Sequence, residues 1–170
     1  LGCGQPSDVL VLKLAHGLDT EHPVHKAFVF MKKRLEEKSG GKITMRIFPN
    51  EQLGSEREMV EQVQLGCLDM TKTSTSPLES FIPVMSVLSM PYLFKDEKHC
   101  WRILEGPIGD KLRSAGDKVG LHGVCFYDAG SRSFYDKIHQ IHTPIDLKGQ
   151  KIRVQESRTA IQMIRALGAN

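Results

Sequence analysis

A chain of 170 residues has room for one good core, or one core and part of another. Its 40% hydrophobic and 25% charged content is that of an ordinary globular protein. The formal net charge of +3 is spread along the sequence, with no dense Lys/Arg block and no aromatic interleaving, which argues against a nucleic-acid partner. No apolar run approaches the roughly 18 residues that a membrane-crossing helix needs.

Residues 9–15, with Val9, Val11, Leu12 and Leu14, read as a buried strand leading into a loop at 16–21. A helix is predicted over 22–38, where Val24, Ala27, Phe28, Met31 and Leu35 recur at helical spacing and Gly40-Gly41 closes the end. Residues 42–48 alternate Ile43, Met45 and Ile47 as a strand that Pro49 stops. Ser55-Glu56-Arg57-Glu58 is a capping box that starts a helix ending near Gly66, and it accounts for both Glu56 and Glu58. Residues 68–74 read as a third strand. This alternation predicts right-handed βαβ units with a parallel sheet, whose ligands bind beyond the carboxyl ends of the strands, at His16-Gly17 and Ser74-Thr75.

Residues 77–94, broken by Pro83 and Pro91, are expected to be irregular packed chain. Helices are predicted over 96–104, with Trp101 in the core, and over 108–115, punctuated by Gly106-Pro107. Further strands are expected at 121–127, 131–135 and 151–154, then an amphipathic helix at 158–167. Asp128-Ala129-Gly130 reads as a hinge. The four cysteines, Cys3, Cys67, Cys100 and Cys125, form no CxxC pair and no zinc spacing, and the last three are expected as small buried hydrophobes. No metal or other cofactor is implied.

Arg132 and Arg153 each lie on a predicted strand. A guanidinium stays charged and grips a carboxylate with a rigid two-pronged fork, so two of them suggest a receptor for a small organic acid. An ordinary solvated or surface-paired arginine is the alternative for either one alone.

Around them stand Ala129-Gly130-Ser131-Arg132-Ser133-Phe134-Tyr135 and Thr143-Pro144-Ile145-Asp146-Leu147-Lys148-Gly149-Gln150-Lys151-Ile152-Arg153-Val154. With His22-Pro23-Val24-His25, Ser39-Gly40-Gly41-Lys42-Ile43, Phe48-Pro49-Asn50-Glu51-Gln52-Leu53-Gly54, Gly66-Cys67-Leu68-Asp69-Met70 and Met90-Pro91-Tyr92-Leu93-Phe94, the text resembles the solute-binding proteins of tripartite ATP-independent periplasmic (TRAP) transporters from about Val9 onward. That family feeds organic acids to a sodium-coupled membrane permease. The resemblance implies an α/β, periplasmic binding protein-like fold of two lobes joined by a hinge. Residues 1–8 would be a tail, 9–128 the first lobe, and 129–170 the hinge and an incomplete second lobe. With Leu1 at the start and a helical pattern just before Asn170, the chain is expected to be a fragment at both ends.

The resemblance also implies site roles. Arg153 matches the arginine that fixes the ligand carboxylate, and Arg132 resembles the second arginine, touching the ligand or bracing the cleft. Ser74 matches a position where some members carry an acid to meet an amino group, so a hydroxyl points to a polyhydroxylated ligand. Lys72, two residues earlier on a strand, shares its face and is a candidate to reach a ligand oxygen with its amine, with a solvated or hinge-pairing lysine as the alternative. His16 and His25 flank the first rim loop as candidate donors, with helix-end or loop roles as the alternative. Of Phe134 and Tyr135, only one is expected to wall the cleft.

The expected function is an extracytoplasmic receptor, not an enzyme, that delivers a sugar acid such as a hexuronate to a TRAP permease. C4-dicarboxylates are the alternative ligands. A sensor input domain and an enzyme acting on acidic sugars are the other classes, although no Gly-x-Ser-x-Gly elbow, phosphate loop, HExxH or dinucleotide fingerprint occurs. Leu1-Gly2-Cys3-Gly4 would suit the end of a lipoprotein signal peptide, with Cys3 lipidated as a membrane tether.

Overall fold

The computed structural model describes residues 9–128, 130–137 and 139–170. The tail with Cys3, and Ala129 of the expected hinge, lie outside the described residues. The chain falls into two compact units that divide between Ser74 and Thr75.

The first unit is built on β1 (Leu10–His16), α1 (Pro23–Lys38), β2 (Ile43–Phe48), α2 (Glu56–Gln64) and β3 (Met70–Lys72). The sheet order is β2-β1-β3 and both pairings are parallel, with Leu14 opposite Ile47 and Met70. Adjacent strand residues point to opposite faces, so Leu14 and Ala15 serve two different cores. On one face Leu14, Phe28 and Met45 pack with Val24, Met31 and Leu35 of the α1 stripe. On the other, Ala15, Met59 and Leu68 pack with Phe48, Leu53 and Val63. A strand covered on both faces reads as a near-continuous apolar run, which is the pattern of residues 9–15.

Local chemistry sets the ends of the helices. Pro23 opens α1 and the His22 ring accepts from the Val24 amide at 3.2 Å. Ser55 caps α2 in a full capping box: the Ser55 amide donates to Glu58 Oε2 at 2.7 Å, and the Glu58 amide donates back to Ser55 Oγ. Because β1 ends at His16 and β3 at Lys72, and these two residues lie opposite each other, the carboxyl rim of the sheet brings them side by side.

The second unit contains α3 (Thr75–Leu78), α4 (Glu97–Leu104), α5 (Pro107–Ser114), α6 (Arg158–Ala166) and 3-10 segments at Pro83–Ser89, Asp117–Val119 and Pro144–Leu147. The stretch expected to be irregular thus holds two short helical pieces, one opened by Pro83 at a position that needs no amide donor. α4 and α5 approach closely at Gly109, where an added Cβ would stand 1.8 Å from the Leu104 carbonyl oxygen. Trp101 is half-buried, so it borders the core instead of filling it.

A third core joins Leu147, Ile164 and Ala169, with Ile152, Val154 and Met163 against it. The N-terminus of α6 has two anchors. Ser157 Oγ accepts from the Ala160 amide at 3.0 Å, and Glu79, 80 residues away in sequence, accepts from the Thr159 amide at 3.1 Å. Burial would raise the Glu79 pKa, but the Thr159 amide and the other donors gathered at the helix start hold it below the usual carboxylate value. Its second oxygen is buried without a partner among the described residues.

Three expected strands, at 121–127, 131–135 and 151–154, are not strands. A strand exists only as part of a ladder, and among the described residues these segments have none. One rung is nevertheless present: Asn170 donates to the Gln150 carbonyl and Ile152 donates to the Asn170 carbonyl, both at 2.8 Å, which is the bonding pattern of a parallel pair centred on Lys151 and Asn170. The cysteines, too, are not the small buried hydrophobes expected. Cys67 and Cys125 are exposed and Cys100 is half-buried, because Cys67 falls in the turn after α2 and Cys125 in a segment without a sheet to cover it.

Candidate functional site

At the rim of the first unit, His16 is fully buried as the last residue of β1. Its Nδ1 accepts from the Leu18 amide at 3.1 Å, and its Nε2 lies 3.0 Å from His25 Nδ1. The ring also sits edge-on to His25, with centroids 5.1 Å apart, and 5.4 Å from Phe28. Burial, then the charges of His25, Lys72 and His22, lower the His16 pKa to about 4. His16 is therefore neutral near pH 7, carries its proton on Nε2, and has no ring nitrogen left for a ligand. His25, in the first turn of α1, is half-buried. It also borders a depression of about 580 Å³ along the β2 edge, lined by Val11, Val29, Lys32 and Arg46 among others, but none of the other expected ligand residues lines it.

Lys72 and Ser74 converge on Glu56, which the capping box at the start of α2 does not use. Glu56 Oε1 lies 3.3 Å from Lys72 Nζ, accepts from the Ser74 amide at 3.0 Å, and accepts from Ser74 Oγ at 3.2 Å. The Lys72 and Glu56 side chains are only 16% and 17% exposed, so this pair is far less screened than a surface pair. Glu58 alone completes the cap. The signal available in the sequence was an acidic residue at the first position of a helix whose preceding loop leaves a strand's carboxyl end.

In the second unit, the Arg132 guanidinium donates to Gln155 Oε1, two positions beyond Arg153. Arg132 and Arg153 are both exposed, and neither takes part in an ion pair among the described residues. Phe134 is 38% exposed and Tyr135 is 91% exposed, and because 131–135 is not a strand, no sheet defines the two faces expected of them. Among the described residues, no three His, Cys, Asp or Glu side chains gather in a way that could hold a metal ion.

The expected ligand residues thus fall into two sets: two exposed arginines in the second unit and a compact polar rim in the first. The model of the family described as bacterial extracellular solute-binding protein, family 7, matches residues 14–170. The chain belongs to that family. A protein of Salmonella typhimurium, YiiZ, is 41% identical over 161 residues, which are 94% of this chain and 49% of that protein. A TRAP periplasmic solute-binding protein from Xanthobacter autotrophicus Py2, solved with bound β-D-galacturonate, is 42% identical with a TM-score of 0.89, and the match covers 94% of this chain and 53% of that one. Another, from Sulfurospirillum deleyianum with bound succinate, is 30% identical with a TM-score of 0.88, covering 95% and 52%. The chain spans about half the length of the relatives it matches.

Proposed function

We propose that the full-length protein is an extracytoplasmic receptor that binds a sugar acid, such as a hexuronate, and delivers it to a TRAP-type sodium-coupled membrane permease without making or breaking a bond. The observation that carries this reading is the pair of arginines. Arg132 reaches the residue two positions beyond Arg153, and neither fork is occupied by a carboxylate of the described residues. Arg153 takes the ligand carboxylate with a bidentate grip and Arg132 supports it. His25 and the rim around Lys72 and Ser74 meet the hydroxyls. In this reading the second lobe begins at residue 129, and a lipid on Cys3 would tether the protein outside the cytoplasm.

Support for a sugar acid comes from the galacturonate-bound relative, which is more similar in sequence than the succinate-bound one. The latter favours a C4-dicarboxylate as the second reading. A thermal-shift screen of the full-length protein against hexuronates and C4-dicarboxylates tests it. A ligand at about 100 times its dissociation constant stabilises by about 2.7 kcal/mol. No shift with any of these acids would refute the receptor reading.

A further inference from the structure

We propose that Glu56 is the specificity-determining residue of the first unit's rim: it neutralises Lys72, offers an acceptor to ligand hydroxyls and rejects a second carboxylate. The inference rests on the receptor reading above.

Lys72 and Ser74 taken alone would make this rim a cationic, donor-rich surface suited to either a hydroxyl or an anion. The structure changes that balance, because all three donors, Lys72 Nζ, the Ser74 amide and Ser74 Oγ, are directed at one oxygen of Glu56. The ammonium charge is thereby matched within the protein, at a pair whose side chains are about five-sixths covered. A dicarboxylate brought to this rim would have to share Lys72 with a carboxylate already in place. At close range and away from bulk water, two like charges repel strongly.

A sugar acid meets different chemistry. Oε2 of Glu56 has no partner among the described residues and is not sealed from solvent. A carboxylate oxygen only accepts, and a sugar hydroxyl has a proton to give, whereas an ionised second carboxylate has none. Discrimination of this kind is built as much from repulsion of the wrong ligand as from contacts to the right one. Glu56 is held in place to do this by its position as the first residue of α2, fixed by the Ser55–Glu58 box beside it.

The experiment is a pair of calorimetric titrations, galacturonate and succinate in the same buffer, on the full-length wild type, Glu56→Gln and Lys72→Met. Wild type is expected to prefer galacturonate. In Glu56→Gln the galacturonate-to-succinate affinity ratio should fall at least tenfold, as the unmatched Lys72 charge becomes available to a second carboxylate. In Lys72→Met, which leaves Glu56 unmatched, the ratio should rise at least threefold, and this variant keeps the test open if Glu56→Gln fails to fold. A wild type that prefers galacturonate, with a ratio that neither substitution moves, would overturn the role of Glu56 alone. A wild type that prefers succinate would overturn both this role and the sugar-acid reading.

Discussion

The proton between His16 and His25 belongs to His16: its Nε2 stands 3.0 Å from His25 Nδ1, while its own Nδ1 is already taken by the Leu18 amide. His25 Nδ1 is therefore the acceptor, and its proton sits on Nε2, available as a donor at the rim. His16 thus orients the His25 ring and has no ring nitrogen of its own to offer.

This pair makes a pH prediction. His16 is lowered from 6.5 to about 4, chiefly by burial, so between those values the unfolded chain binds a proton that the folded state refuses. Stability from this group is complete above pH 6.5, declines as pH falls towards 4, and then levels; the full term is about 3 kcal/mol. Thermal melts from pH 7 to pH 5 should show the loss in wild type and a flatter dependence in His16→Gln. Equal slopes would remove His16 as the source.

Glu79 ties two parts of the second unit that are 80 residues apart, through the Thr159 amide at the start of α6. Glu79→Ala leaves that half-buried donor without its carboxylate partner and should cost about 1–3 kcal/mol. Hydrogen exchange reads it locally: protection at the α6 amides from Thr159 onward should fall, while that of β1 is unchanged. Uniform loss in both would mean that Glu79 acts on global stability instead.

Gly109 sits where α4 and α5 touch, and an added methyl would overlap the Leu104 carbonyl. The obstacle is backbone, which cannot swing aside. Gly109→Ala should therefore destabilise by about 3 kcal/mol or more, at the top of the range for overpacking. A denaturant titration that gives an unchanged midpoint would show that the helices can separate freely.

Arg153→Lys replaces a planar fork with a point charge and should weaken binding of the acid about 10- to 100-fold, the equivalent of losing a charge-assisted bond of about 1.5–3 kcal/mol. The melting temperature without ligand should stay within error of wild type, since Arg153 is exposed and unpaired among the described residues. Calorimetry on the full-length protein decides it. Unchanged affinity would remove Arg153 from the carboxylate grip.

The first unit was legible in the sequence because its signals are local. An apolar run marked β1, the alternation of Ile43, Met45 and Ile47 marked β2, the helical stripe from Val24 to Leu35 marked α1, and Ser55 with Glu58 marked the start of α2. The strands expected at 121–127, 131–135 and 151–154 were not legible in the same way, because a strand depends on a partner that its own residues do not specify. Side-chain direction was the other blind spot. Nothing in Ser55-Glu56-Arg57-Glu58 says that one acid turns back to the cap while the other reaches Lys72 and Ser74, 16 and 18 residues on. His16 likewise reads as a rim donor until the Leu18 amide and the His25 ring are seen to use both nitrogens.

The central claim, that arginine forks hold a carboxylate while the rim of the first unit favours hydroxyls, is tested most directly by titrating the full-length protein with galacturonate, glucuronate, succinate and malate in one buffer. At least one hexuronate should bind more tightly than both C4-diacids. Tighter binding of succinate or malate than of every sugar acid would contradict it.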